Sequence, residues 1–162
     1  MKVNKVILSI ILFSLLTAFG HNQTSIFNKE QAITIVEKAF KTQVSLSEKP
    51  RSMQQIEKLL DGYFTEEFKK SFMKENVVGM DDGYVTLGSD FAPYYIPFFH
   101  YNETTNASYA NGKWYVWEKR LGSESGPYST PTGVEAVILV KQNGTWKVSD
   151  ITYELPENVS SP

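Results

Sequence analysis

From Asn28 onward, apolar residues recur first at helical spacing and later at strand spacing. Ala32, Ile33, Val36, Ala39, Phe40 and Val44 fall on one face of a helix, with Glu37, Lys38 and Lys41 on the other. Asn28-Lys29-Glu30-Gln31 is a capping box, and Phe27 before it sits at a hydrophobic-staple position. Pro50 interrupts the pattern. Ser52-Met53-Gln54-Gln55 is a second capping box, followed by an apolar stripe of Met53, Ile56, Leu59 and Leu60, with Gly62 placed to end it. Thr65 caps a third helix. Glu66 and Glu67 stand in its first turn, where the helix dipole favours carboxylates; Lys69, Lys70 and Lys74 follow toward the end that favours cations. Phe68, Phe72 and Met73 are its inward residues.

After Asn76 the period changes. Met80-Asp81-Asp82-Gly83 reads as a turn, and from Tyr94 onward the signal is β. Asn111-Gly112 joins a strand near Ser108 to Lys113–Glu118, and Asn143-Gly144 joins Val134–Lys141 to Thr145–Leu155; Asn-Gly between apolar runs is the strongest short hairpin signal. In the last strand Trp146 and Val148 share one face, whereas Ile151, Tyr153 and Leu155 share the other. A bulge near Ser149 or Asp150 brings both sets to one face. Leu121 to Gly133 is rich in Gly, Ser and Pro and reads as a loop. The pattern therefore predicts an α+β domain over 28–155, three N-terminal helices on a curved, mostly antiparallel sheet of about four strands, with a disordered tail over 156–162.

One segment interrupts this regularity. Ser89 to Tyr101, SDFAPYYIPFFHY, is dense in aromatic residues. Pro93 and Pro97 exclude a helix and a regular central strand through it. Tyr95, Pro97 and Phe99 alternate with Tyr94, Ile96 and Phe98, so one set can face the helices and the other a rim. Tyrosine, apolar in body and polar at the tip, suits a rim. Core and pocket wall are both open readings, and Tyr94, Tyr95, Phe98, Phe99 and Tyr101 are candidate ligand contacts. Trp114 joins them as a stacking residue, although tryptophan within strands, here also Trp117 and Trp146, commonly serves the core.

The candidate chemistry is sparse. His100 is the histidine available as a general base. Asp90, beside the aromatic segment, and Asp150, on the last strand, are candidate acids. One such histidine and no cysteine do not make a zinc site, and Asp81-Asp82-Gly83 lacks the alternating acids of a calcium loop. No Gly-x-Ser-x-Gly elbow or phosphate loop occurs in the sequence, so no cofactor is expected.

The first twenty residues stand apart. Lys2 and Lys5 precede an apolar run from Val6 to Phe19, and Ala18-Phe19-Gly20 puts small residues where a signal peptidase cuts. The run is short for a membrane span. A signal peptide over 1–20 and a short linker over 21–27 are expected, which makes the protein secreted or extracellular; an uncleaved membrane anchor is the alternative. Without cysteine the chain has no thiol for lipidation, no disulfide and no cysteine nucleophile. Its formal charge of −2 becomes more acidic once Lys2 and Lys5 are removed, which argues against nucleic acid and anionic membrane surfaces as partners. Cysteine-free export and a Lys- and Asn-rich composition point to a Gram-positive bacterium. The five Asn-x-Ser/Thr sequons, at Asn22, Asn102, Asn106, Asn143 and Asn158, are then incidental.

Gly62-Tyr63-Phe64-Thr65-Glu66-Glu67-Phe68, together with the terminal hairpin carrying Asn143-Gly144-Thr145-Trp146-Lys147-Val148, resembles the nuclear-transport-factor-2-like superfamily of cone-shaped α+β domains, which includes ketosteroid isomerase. With Tyr95-Ile96-Pro97-Phe98-Phe99, the chain also resembles small exported bacterial proteins grouped as a domain of unknown function. The resemblance covers Asn28 to Leu155. It implies a curved sheet wrapped around helices with a cavity between them, and no particular reaction. Isomerase-type members use an Asp base and a Tyr or protonated carboxyl donor in an apolar cavity. The expected function is a non-catalytic module binding a small ligand or a protein, with a homodimer through the sheet's open face as a further reading. The alternative is a cavity enzyme of the ketosteroid-isomerase or dehydratase type. That alternative needs Asp90, Asp150 or His100 as base, with a buried acid of raised pKa beside a tyrosine hydroxyl.

Overall fold

The computed structural model describes residues 27–88, 92–120, 122 and 132–159, and its elements are α+β. Residues 1–26, which include the expected signal peptide, Ser89, Asp90, Phe91, most of the 121–133 loop and residues 160–162 lie outside the described residues.

Three helices begin where their caps dictate. In α1 (Lys29–Ser45) the Asn28 side chain accepts from Gln31 N at 2.9 Å, and Gln31 accepts in return from Asn28 N at 3.0 Å. Ser52 and Gln55 repeat the exchange at α2 (Met53–Asp61), and Thr65 caps α3 (Glu66–Asn76). Each such cap is worth about 1 kcal/mol. The buried face of α1 is Ala32, Val36, Ala39 and Gln43, so Gln43 occupies the seam where apolarity alone assigned Val44, which is exposed. Spacings of four, three and four residues trace a straight helical stripe, and position 44 falls beside it. Leu59 of α2 is likewise exposed, while Ile56 and Leu60 are fully buried.

A hairpin that the pattern showed only as a turn follows α3: β1 (Val77–Met80) pairs with β2 (Gly83–Thr86). Four-residue strands containing glycine display little alternation. The hairpin is tied down by Arg51, whose N–H donates to Tyr84 O at 3.0 Å and whose carbonyl accepts from Tyr84 N at 2.8 Å. Gly83 allows that approach: a Cβ there would lie 2.9 Å from Arg51 O, and its φ is +144°.

The main sheet is an antiparallel meander of β3 (Asn106–Ala110), β4 (Lys113–Arg120), β5 (Gly133–Gln142) and β6 (Thr145–Thr152), in spatial order β3-β4-β5-β6. Both Asn-Gly pairs have positive φ at both residues, 53° and 77° at Asn111-Gly112 and 51° and 82° at Asn143-Gly144, as a primed two-residue turn requires. The bulge is present: Ile138 pairs with Asp150 and Leu139 with Val148, which leaves Ser149 as the extra residue. Trp146, Val148 and Ile151 consequently all pack toward the helices. Tyr153 lies beyond the strand and is exposed, and Leu155 packs on the opposite face.

Both faces of the sheet are covered. Val116, Val137, Leu139 and Val148 meet Val36, Leu60, Phe64, Phe68, Phe72 and Ile96 on the helix side. Tyr115, Trp117, Ala136 and Ile138 form a second cluster with Ala110 and Val159. Val159 belongs to the tail expected to be disordered; instead Pro156–Val159 closes a turn, with Val159 N donating to Pro156 O at 2.8 Å, and the valine is buried. The link between α2 and α3 extends the sheet beyond β6: Thr65 N donates to Val148 O at 2.9 Å and Val148 N to Tyr63 O at 2.8 Å.

Candidate functional site: a clamped aromatic segment

Residues 92–101 cross the helix side of the molecule without forming a strand. Two non-glycine residues in the left-handed region, Tyr94 (φ 64°) and Tyr101 (φ 53°), bracket the run. Each costs about 1–2 kcal/mol and persists only where the surroundings over-determine it. At the Tyr94 end two amides provide that determination. Gln43, 0% exposed, donates from Nε2 to Tyr94 O at 2.8 Å and accepts at Oε1 from Ile96 N at 2.9 Å. Asn76 Nδ2 donates to Pro93 O at 2.8 Å and to Phe72 O at 2.9 Å.

The simple alternation expected of this run is broken, because a left-handed residue and two prolines remove the period of two. Ile96 and Phe99 are buried, whereas Tyr94 and Phe98 face outward, Phe98 with 67% of its surface exposed. Phe98 meets Phe40 edge-on at 5.1 Å, and Tyr94 meets Phe68 edge-on at 5.7 Å. The segment is core on one side and wall on the other.

That wall borders a cleft of about 520 Å³, with Tyr94, Tyr95 and Phe98 on one side and Arg120, Glu135, Asp150 and Tyr153 on the other. Arg120 donates to Glu135 at 3.2 Å across β4 and β5. A second cleft of about 430 Å³ shares Phe98, Arg120 and Glu135 and continues to Phe99, His100, Thr104 and Glu118.

Glu118 organises this second cleft. It stands directly opposite Glu135 in the β4–β5 register, a like-charge pairing that must be relieved. Arg120 takes Glu135, and three donors take Glu118. Its Oε1 accepts from His100 N at 2.8 Å and from Thr105 Oγ1 at 2.6 Å, and its Oε2 from His100 Nδ1 at 2.7 Å. Burial pushes the Glu118 carboxyl up, but the Thr105 and His100 hydrogen bonds, with the imidazole's charge when that ring is protonated, hold it below its ordinary value. Burial pushes the neighbouring Tyr101 phenol well up, helped by the charges of Glu37 and Glu118, and its buried hydroxyl meets no partner among the described residues. Burial also raises Tyr95. The Thr86 hydroxyl offsets part of that effect, although neither hydroxyl reaches good hydrogen-bond geometry.

The structure gathers Tyr94, Tyr95 and Phe98 at the first cleft and Phe99 and His100 at the second, with Tyr101 packed against Phe99 at 5.9 Å. Trp114 sits elsewhere, 5.7 Å from Phe27 and 5.6 Å from Tyr109. Asp90 lies outside the described residues. Asp150 borders the first cleft but is exposed, and its carboxylate accepts from the adjacent Ile151 N at 2.8 Å. Among the described residues the buried carboxylate is Glu118, and it is ionised beside a tyrosine that is harder to ionise. This is the reverse of the raised acid that the isomerase pattern requires.

Three organising residues escaped the sequence reading: Gln43, Asn76 and Glu118. Two left a trace. Gln43 continues the Ala32, Val36, Ala39 stripe, and Glu118 follows Trp114 and Val116 on one strand face; a polar residue in each place must find partners when buried.

All three lie in the part of the chain that a family model recognises, residues 28–120, described as a protein of unknown function (DUF3993). The chain belongs to that family. The match runs from the α1 cap to the end of β4, more than half of the chain, and stops short of the Leu155 boundary expected from sequence. No curated protein matches the chain. Among the described residues no helix is long and apolar enough to cross a membrane, and no group of three or more His, Cys, Asp or Glu could hold a metal ion.

Proposed function

We propose that this protein is an exported, non-catalytic domain that binds a small ligand in the cleft beside Tyr94, Tyr95 and Phe98. The observation carrying this reading is an exposed Phe98 on a backbone that is strained at Tyr94 and Tyr101 and fixed by the buried Gln43. A rigid, outward-facing aromatic has already given up the conformational freedom that binding would otherwise cost. In this reading the sheet is the wall of a nuclear-transport-factor-2-like cone and the clefts open at its rim. Met1 to Gly20 is a signal peptide removed before His21, which places the domain outside a Gram-positive cell.

The test is the native mass of the protein recovered from its own culture medium. The expected species is His21–Pro162 carrying an additional non-covalent small mass, which Phe98→Ala releases. A bare chain would overturn the ligand reading. A species that still begins at Met1 would overturn the cleavage reading, and absence of the protein from the medium would overturn the export reading.

A further inference from the structure

A carboxylate only accepts hydrogen bonds. Glu118 is ionised, so its 2.7 Å contact with His100 Nδ1 places the imidazole proton on Nδ1. In neutral imidazole the other nitrogen is then a bare acceptor. The ring is 73% exposed, and no hydrogen bond among the described residues engages Nε2. The Nδ1 contact orients the ring, and the 2.8 Å bond from the backbone N of the same residue holds the main chain that carries it. In its neutral form His100 therefore presents an oriented lone pair to the second cleft, beside Phe98 and Phe99.

The surrounding charges define what suits that lone pair. Glu118 is occupied by three donors, and Glu135 is paired with Arg120. Glu37 lies near Tyr101 rather than in this cleft and is paired with Lys41. Lys119 remains as a cleft-lining cation. A hydroxyl whose oxygen gains negative character as it donates would be favoured, and an aryl hydroxyl also supplies a ring for Phe98. Resting on the reading of Phe98 as a ligand-contacting residue, and extending it to the second cleft that shares Phe98, we infer that the ligand carries a phenolic hydroxyl that donates to His100 Nε2 while its aromatic ring packs against Phe98.

Titration with p-cresol and with 4-methylanisole tests this. The two share ring and oxygen, but only the first has an O–H. p-Cresol should bind about tenfold tighter, the scale of one net hydrogen bond. His100→Phe should bring the two within about twofold. So should Glu118→Gln, although it keeps the imidazole: the new amide donates to Nδ1, moves the proton to Nε2 and turns the acceptor into a donor. Imidazole ¹⁵N shifts report that exchange directly, with Nδ1–H expected for the neutral ring in the unaltered protein. Equal binding of the two probes, or an Nε2–H tautomer in the unaltered protein, would overturn the inference and leave the cleft reading standing. If neither probe binds at millimolar concentration, the inference fails, and the native-mass test decides the first-cleft reading by itself.

Discussion

Gln43 and Glu118 are both buried polar side chains, and each fixes one half of the same aromatic segment. Gln43 holds Tyr94 and Ile96 through a neutral amide that gives one bond and takes one. Glu118 holds His100 and Thr105 through a charge that only accepts. The amide reproduces the pairing of a strand neighbour in a place where prolines prevent a strand. It works as a backbone surrogate, and its strength is independent of pH. The carboxylate must stay ionised, and it also sets the tautomer of an exposed ring. Anchoring is common to both, whereas sensitivity to the environment belongs only to the second.

Replacing the amide should have the largest effect. Gln43→Leu fills the same space but leaves the Tyr94 carbonyl and the Ile96 N–H buried without partners. Each orphaned group costs about 1–3 kcal/mol, so a total loss near 3 kcal/mol is expected. The urea midpoint should fall accordingly, by the same amount at pH 4 and pH 7. A loss under about 1 kcal/mol would show that the segment reaches other partners and is not clamped.

Glu118→Gln should cost less at neutral pH, about 1–2 kcal/mol, because the amide oxygen still accepts from His100 N and Thr105. Its distinguishing mark is pH dependence. The folded-state pKa of Glu118 lies below its unfolded value. Its contribution is thus present above the ordinary carboxylate range and is lost as pH falls through the folded value. The stability gap between the unaltered protein and Glu118→Gln should narrow as pH is lowered from 6 toward 3. Glu66 is also shifted down, chiefly by its hydrogen bond to Lys69, but it is present in both proteins and cancels from the difference. A gap that stays constant with pH would mean that Glu118 acts as an uncharged anchor like Gln43.

The same contrast explains what could be read from the sequence. The three caps, the two Asn-Gly turns and the bulge at Ser149 are local features: each depends on residues within a few positions, and each was legible. The four meander strands followed from alternation. The β1–β2 hairpin did not, because its pairing is anchored from Arg51, remote in sequence. The clamp is more remote still, joining Gln43 to Tyr94 and Ile96 across 51 and 53 residues. Composition marks Gln43 and Glu118 as polar intruders on apolar faces, yet only the fold supplies their partners. The site was legible in part for the same reason. The aromatic run announced itself, and His100 was singled out, but the residue that orients His100 lies 18 positions away on β4.

Phe98 should show the smallest effect on stability and thereby complete the contrast. Its ring is mostly exposed, and among the described residues its one aromatic pairing is with Phe40 at 5.1 Å. Phe98→Ala should cost about 0.5 kcal/mol, in the range of surface substitutions. The backbone at Tyr94 and Ile96 remains held by Gln43, so the segment keeps its course when the ring is gone. If the cleft is a ligand site, this variant should nevertheless weaken p-cresol severalfold, whereas Gln43→Leu should weaken it through loss of order in the whole segment. Measuring urea midpoint and p-cresol affinity on the same samples separates the two routes. A stability loss as large as that of Gln43→Leu would place Phe98 in the core and remove the reason for calling that side of the segment a binding wall.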